Sequence, residues 1–180
     1  MNDRLIQKLK KIKLIISDVD GVLTDGSIYI GSNGEEMKKF SIEDGAGVAL
    51  ARASGLIIAL LSGRFSSTTD IRAKELKIED IYNGMLNKIP AYEELKRKYN
   101  LEDSEIVYIG DGLIDILVME KVGIPVSVKN AHPTAKETAV YVTDKSGGSG
   151  ALQETIELVL KAQNQYDDAI NKMRVKVLNL

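Results

Sequence analysis

The chain has 180 residues, 44% hydrophobic and 28% charged, with a formal net charge of −2. That balance excludes an intrinsically disordered segment and gives no electrostatic pull toward nucleic acid or an anionic membrane surface. It contains no cysteine and one histidine, which removes disulfides, thiolate or multi-histidine metal sites and a cysteine nucleophile, and leaves a Ser-His-Asp triad only through His132.

The N-terminal stretch carries Lys8, Lys10, Lys11 and Lys13. It reads as a short leading helix with a solvated basic face, because no apolar core of a secretory signal follows it. No apolar run approaches the ~20 residues needed to span a bilayer, so the expected location is the cytoplasm. Leu14-Ile15-Ile16 is a first short strand, ending in Ser17-Asp18. Gly26 to Phe40 then holds Ser27-Ile28-Tyr29-Ile30, the turn Gly31-Ser32-Asn33-Gly34, and Glu35 to Phe40; Asn-Gly between two strand-like pieces predicts a β-hairpin beside the first acidic cluster. Helical patterns follow at Gly45–Ser54, Ser66–Leu76, Lys88–Tyr99, Leu113–Lys121 and Gly150–Gln163. They alternate with apolar runs at 57–61, 106–109, 126–128 and 139–142. Continuous apolar runs alternating with helices predict an α/β fold with a parallel sheet buried on both faces. Asn164 to Leu180 has no clear home in this core and is expected to be a helix, or a tail docking on a neighbouring subunit.

In open parallel sheets, ligands bind beyond the carboxyl ends of the strands, near a topological switch point. Three runs here end in polar groups: Asp18-Val19-Asp20-Gly21, Ser62-Gly63-Arg64 and Gly110-Asp111-Gly112-Leu113-Ile114-Asp115. Two carboxylates two residues apart can divide labour, one attacking phosphorus and the other moving a proton. Ser62 and the backbone N–H groups after it suit phosphoryl oxygens. Lys88 supplies a cation against a transferring phosphoryl group. Asp111 is a candidate metal ligand, and Asp115, one helical turn on, faces the same place. Oxygen donors without cysteine or a histidine cluster suit Mg²⁺ rather than Zn²⁺. Each element alone also reads as ordinary turn or cap chemistry; together, in this order and each after an apolar strand, they specify a site.

In this combination the sequence resembles the haloacid dehalogenase superfamily of phosphotransferases, over residues 14–163. The further segments Phe40-Ser-Ile-Glu-Asp-Gly45, Asn87-Lys88, Ala131-His132-Pro133 and Gly147-Gly-Ser-Gly-Ala151 resemble the 3-deoxy-D-manno-octulosonate 8-phosphate (KDO 8-phosphate) phosphatase family. The resemblance implies a Rossmannoid three-layer α/β/α domain over residues 1–180, with a hairpin flap at about 26–40 and a C-terminal helix or tail at about 150–180. It also implies Mg²⁺-dependent hydrolysis of a sugar-acid phosphate for lipopolysaccharide precursor synthesis, and a homotetramer with intersubunit active sites. By the same resemblance Asp18 is nucleophile and metal ligand, and Asp20 is the acid/base, also binding metal through its backbone carbonyl. Ser62 and Lys88 hold the phosphoryl group, Asp111 is the third protein ligand, and Asp115 stands behind them. Substrate contacts map onto Asp20, Ser41, Ile42, Glu43, Asp44, Gly45, Gly63, Arg64, Arg72 and Lys88.

Only 44 positions separate Asp18 from Ser62 and 23 separate Lys88 from Asp111. Neither gap holds a cap domain, so a second subunit, the hairpin or the tail must cover the site. The chain departs from the family pattern at Gly112, where an Asp is usual, and at Glu43, Ala49 and Gln153, where Arg is frequent. These departures keep a nonulosonate 9-phosphate or another small sugar phosphate open as substrate. A catalytically silent binding or assembly module would lack the nucleophile or a metal ligand, and here all are present; a mutase or dehalogenase fits the capless, magnesium-type acidic set less well. His132, before Pro133, reads as a structural loop residue, and the Gly147–Gly150 run as a mobile segment at the edge of the site.

Overall fold

The computed structural model describes residues 3–178. The chain opens with helix α1 (Asp3–Leu9) and strand β1 (Leu14–Ser17), followed by the short pair β2 (Tyr29–Ile30) and β3 (Glu36–Met37). Helix α2 (Ile42–Ser54), β4 (Ile57–Ser62), α3 (Ser67–Leu76), β5 (Asp80–Asn83), α4 (Ile89–Tyr99) and β6 (Ile106–Gly110) come next. A 3₁₀ turn (Leu113–Asp115) leads into α5 (Ile116–Met119), then β7 (Ile124–Ser127), α6 (Pro133–Thr138), β8 (Tyr141–Val142), α7 (Ala151–Ala162) and α8 (Tyr166–Leu178).

The main sheet has the order β5-β4-β1-β6-β7-β8, and every pairing in it is parallel. β1 and β6 are buried at every position, as is all of β4 after Ile57, as strands covered on both faces must be. Helix α2 packs on α7 and α8 and touches α3, while α4, α5 and α6 contact one another in series. Right-handed crossovers put these two groups on opposite faces of the sheet, giving the expected three-layer α/β/α arrangement. The chain leaves β1 to the β4 side and later returns to its other side at β6. β1 is therefore the switch point, and its carboxyl end is where a ligand crevice opens.

Several boundaries differ from the sequence reading. α2 begins at Ile42 because Ser41 Oγ accepts from Glu43 N at 3.1 Å and caps it, so Ile42 to Gly45 form a first helical turn rather than a loop. The segment 113–121 is split, a 3₁₀ turn followed by four α-helical residues. The strand at 139–142 shrinks to two residues, and β7 is displaced toward Ile124. β5 and α6 carry no strong periodic signal. Asp80, at the start of β5, is buried and takes both Lys98 and the Tyr99 hydroxyl, a tertiary solution invisible in a short polar run. α8 has a home after all: Ala169 is buried in the core, and the helix lies back on α2 of its own chain. Asn179 and Leu180 of the predicted tail, and Met1 and Asn2 of the leading segment, lie outside the described residues.

Candidate active site

Register alone brings the site together. Ser17 pairs with Leu60 of β4 on one side and with Ile109 of β6 on the other. The next residues along these three strands are Asp18, Leu61-Ser62 and Gly110-Asp111, which meet at one edge of the sheet. Gly84 N and Met85 N both donate to Ser62 O, at 3.0 and 2.9 Å. This turns the chain after β5 inward and delivers Lys88 at the head of α4, with Lys88 only 2% exposed.

Lys88 Nζ lies 2.9 Å from Asp18 Oδ1 and 2.7 Å from Asp115 Oδ1, and it donates to the Tyr108 hydroxyl at 2.9 Å. Tyr108 Oη in turn donates to Asp115 Oδ1 at 2.5 Å. Asp115 Oδ2 accepts from the backbone N–H groups of Asp111 and Gly112 at 3.0 and 2.9 Å. Both oxygens of Asp115 are therefore spent on orienting Lys88, Tyr108 and the Asp111 turn. Val19 N donates to Asp18 Oδ1 at 2.7 Å, so the Asp18 carboxylate is fixed by an amide and an ammonium at once. Burial pushes the Asp18 carboxyl up to about 8; Lys88 pulls against this, while Asp115 and Asp111 add to it. Asp111 is raised to about 6, by burial first and then by Asp115 and Asp20, with Lys88 opposing. Lys88 itself is raised because Asp18 and Asp115 outweigh the burial that would lower it.

Asp18, Asp111 and Asp115 present carboxylate oxygens within 4.8 Å of one another. This crowding of buried negative charge beyond what Lys88 neutralises, built from oxygen donors alone, fits a hard divalent cation. With Asp115 committed to its neighbours, Asp18 and Asp111 are the carboxylates left to hold it. Gly21 permits the arrangement: its φ of +90° lies in the left-handed region that side chains rarely adopt, and a Cβ there would fall 2.1 Å from Asp111 Oδ2.

Asp20 leaves this cluster and faces the hairpin, where Lys38 Nζ meets its Oδ1 at 2.7 Å. Ser62 is buried and its Oγ donates to Arg64 O at 2.8 Å. Arg64 pairs with Glu36 of β3. On the α2 side, Arg72 donates to Ser41 O at 3.0 Å and its guanidinium stands 5.8 Å from the centre of the Phe40 ring. Asp44 is turned away to the start of α7, where it accepts from Gln153 N at 3.1 Å. Ile42 projects into solvent, and Glu43 reaches Lys145 Nζ at 2.6 Å. His132 caps α6, its Nδ1 accepting from Thr134 N at 3.2 Å, and its own N–H donates to Asp111 O at 2.8 Å. The Gly147–Gly150 turn is packed rather than loose: Gly147 N donates to Asn130 Oδ1 and Gly148 N to Val22 O, both at 2.9 Å.

Sequence reasoning missed Tyr108, Glu36 and Lys38. Tyr108 was hidden inside an apolar strand, although a tyrosine buried on both faces needs a partner for its hydroxyl. Glu36 and Lys38 alternate along the predicted hairpin, which put both charges on one face of its second strand.

A haloacid dehalogenase-like hydrolase family model matches residues 35–154. The 3-deoxy-D-manno-octulosonate 8-phosphate phosphatase KdsC of Escherichia coli strain K12 is 44% identical over 165 residues, covering 92% of this chain and 88% of that protein. The KdsC of Salmonella typhi is 42% identical over 169 residues, covering 94% and 90%. Among solved structures, the Moraxella catarrhalis 3-deoxy-D-manno-octulosonate 8-phosphate phosphatase, in complex with magnesium ion, phosphate ion and KDO, superposes with a TM-score of 0.92 at 41% identity, covering 96% of this chain and 99% of that one. The Yersinia pestis phosphatase of the same name gives a TM-score of 0.91 at 41% identity, covering 93% and 90%.

Proposed function

The chain belongs to the haloacid dehalogenase-like hydrolases and, within them, to the 3-deoxy-D-manno-octulosonate 8-phosphate phosphatase family, and we propose that it is a Mg²⁺-dependent phosphatase that hydrolyses KDO 8-phosphate to KDO and phosphate. The observation that carries this reading is the Asp18-Lys88-Asp115 constellation beside Asp111 at the switch point of the sheet. The relative crystallised with magnesium, phosphate and KDO supports the substrate and the metal.

Asp18 is the nucleophile. Its carboxylate, clamped by Val19 N–H and Lys88, attacks phosphorus while the ester P–O bond breaks, and the phosphoryl group passes to Asp18. Asp20 gives a proton to the departing alkoxide and later takes one from the water that attacks the aspartyl-phosphate. Lys88, Ser62 and the N–H groups of the Gly63-Arg64 turn hold the phosphoryl oxygens. The carboxylates of Asp18 and Asp111 and the main-chain carbonyl of Asp20 would hold Mg²⁺, which when bound offsets the charge of the phosphoryl group. Asp115 keeps Lys88 and the Asp111 turn in place. Ser41 to Gly45, Arg64 and Arg72 border the sugar-acid end, Asp44 by anchoring α7 and Arg72 by holding Ser41 O. A silent binding module is disfavoured because the nucleophile, the cation and the metal carboxylates are all assembled.

Phosphate release from a panel of sugar phosphates tests the reading, with EDTA and Asp18→Asn as controls. Selective Mg²⁺-dependent release from KDO 8-phosphate supports it; no release from any member sinks it. Glu43, met by Lys145 Nζ at 2.6 Å, places a carboxylate where Arg is frequent in the family, so the panel includes a nonulosonate 9-phosphate and a sugar phosphate that lacks a carboxylate.

The assembly belonging to this reading is a homotetramer whose subunits close one another's sites. Ile28, Tyr29, Ile30 and Met37 of the hairpin are exposed together, an apolar surface next to an uncapped site. Light scattering coupled to sizing checks it, and an active monomer would refute it. Among the described residues no helix is long and apolar enough to cross a membrane.

A further inference from the structure

The hairpin reaches into the site with two opposite charges. Lys38, just past β3, has its side chain fully buried, an expensive position for an ammonium group unless carboxylates meet it. Its Nζ is 2.7 Å from Asp20 Oδ1 and 3.8 Å from Glu36 Oε1. The shorter contact is an ion pair without the alignment of a hydrogen bond, and Asp20 Oδ2 is buried without a protein hydrogen-bond partner. A buried carboxylate oxygen left without a donor is unusual in a folded protein and calls for a functional explanation. Glu36, two residues earlier, accepts from Ser66 Oγ at 2.7 Å and pairs with Arg64. The hairpin is thereby fastened to the turn after β4 at one point and to Asp20 at another.

We propose that Lys38 is a positioning residue for Asp20, an inference that rests on Asp20 being the acid/base of the phosphatase reading. By engaging Oδ1, Lys38 fixes the carboxyl plane and leaves Oδ2 as the oxygen that handles the proton. When the ester P–O bond breaks, the electron pair stays on the departing oxygen, which takes the proton from Oδ2. When water attacks the aspartyl-phosphate, its proton returns to Oδ2 and the P–O bond to Asp18 breaks. Without the ammonium, the Asp20 carboxyl can rotate or swing toward solvent, and a displacement of about 1 Å in such a group costs on the order of 100-fold.

The discriminating experiment is the dependence of kcat/KM on the leaving group, measured for the Mg²⁺-loaded wild type, Lys38→Met and Lys38→Arg. The substrates are KDO 8-phosphate, whose alkoxide needs a proton, and p-nitrophenyl and 2,4-dinitrophenyl phosphate, whose phenolates leave with little help. Lys38→Met should lose about 100-fold on the sugar phosphate and less than about threefold on the dinitrophenyl ester, with Lys38→Arg recovering part of the loss. Glu36→Gln, which loosens the hairpin without touching Asp20, should lower both classes of substrate alike. Equal losses on all three esters in Lys38→Met, no loss at all, or the Lys38→Met pattern reproduced in Glu36→Gln would overturn the assignment. If Lys38→Met does not fold, Lys38→Arg decides: a steeper leaving-group dependence than wild type supports the proposal, and an unchanged one refutes it. A wild-type chain that hydrolyses none of the three esters removes the phosphatase reading and this proposal together, an outcome distinct from every other.

Discussion

A Cβ on Gly147 would fall 1.8 Å from the carbonyl oxygen of Gly21 and 2.9 Å from that of Thr24. The turn that feeds α7 thus touches, backbone to backbone, the loop that carries Asp20. Neither partner is a side chain that can move aside. Gly147→Ala must therefore push the two loops apart, at a cost of about 1–3 kcal/mol for overpacking, and should displace Asp20 with a kcat loss of at least about tenfold. Gly55→Ala is the control. Gly55 has φ +82° and nothing within 4 Å of its would-be Cβ, so that variant carries backbone strain of about 1–2 kcal/mol far from the site and should keep wild-type kcat. Thermal unfolding and phosphate release on both variants check the contrast; equal kcat in the two would show that the contact does not position the loop.

Asp18 is held at a stability cost that function explains. Burial and neighbouring carboxylates raise its carboxyl from 3.8 to about 8, so the folded chain binds that proton more tightly than the unfolded chain. Ionisation then lowers stability progressively as pH rises from about 4 to 8. Asp18→Asn removes this cost. In EDTA at pH 8 the variant should unfold at a higher temperature than the wild type, while its turnover falls below detection. Mg²⁺ should raise the melting temperature of the wild type by mass action and that of the variant far less. A variant that melts lower in EDTA, or that gains as much from Mg²⁺, contradicts the role of Asp18 in the carboxylate cluster.

The parallel core was legible because Leu14 to Ile16, Ile57 to Leu61 and Ile106 to Ile109 are continuous apolar runs, and burial on both faces demands just that pattern. As candidate site positions Asp18, Ser62 and Asp111 were legible for the same reason: each comes within two residues of the end of such a run, and parallel register aligns the strand ends. Lys88 could be named from sequence, but its burial could not, since a lysine before a helix is ordinarily solvated. Tyr108 and Lys38 become site residues only through contacts 7 to 20 positions away along the chain, which no local pattern encodes. Asp44 was placed by its segment with the substrate contacts, whereas its carboxylate is taken up by the start of α7. The interior ends of β5 and α6 depend on tertiary partners and had no periodic signature to read.

Tyr108 links Lys88 and Asp115 through one hydroxyl, accepting from the first and donating to the second. Tyr108→Phe deletes that hydroxyl without changing the shape of the core. It leaves Asp115 Oδ1 with Lys88 alone, and a lost buried hydrogen bond to a charged group costs about 1–3 kcal/mol. Lys88 keeps both ion pairs, so kcat should fall only modestly, less than about tenfold, while the denaturation midpoint drops clearly. A loss of activity as deep as that of Asp18→Asn, with stability unchanged, would instead make the Tyr108 hydroxyl part of the chemistry.

Asp44 offers a test by pH that does not involve the metal site. It is 1% exposed, accepts from Gln153 N at 3.1 Å and keeps its second oxygen buried without a hydrogen-bond partner. Burial raises its carboxyl from 3.8 to about 6, against the pull of the backbone N–H groups of Gln153, Gly150 and Leu152. Because the folded-state value lies above the unfolded one, the folded chain holds the extra proton between about pH 4 and pH 6, and stability attributable to this group is lost as pH rises through that window. Asn at this position keeps an acceptor for Gln153 N and has nothing to ionise. The stability of Asp44→Asn relative to wild type should therefore rise from pH 4 to pH 6, by at most about 3 kcal/mol, and stay level above pH 7. Asp18 and Asp111 titrate in both proteins and cancel in the difference. Urea midpoints at pH 4, 5, 6 and 7.5 in EDTA measure it. A difference that is flat across this range would mean that Asp44 ionises as readily in the fold as in the unfolded chain, and that the start of α7 stabilises its carboxylate fully.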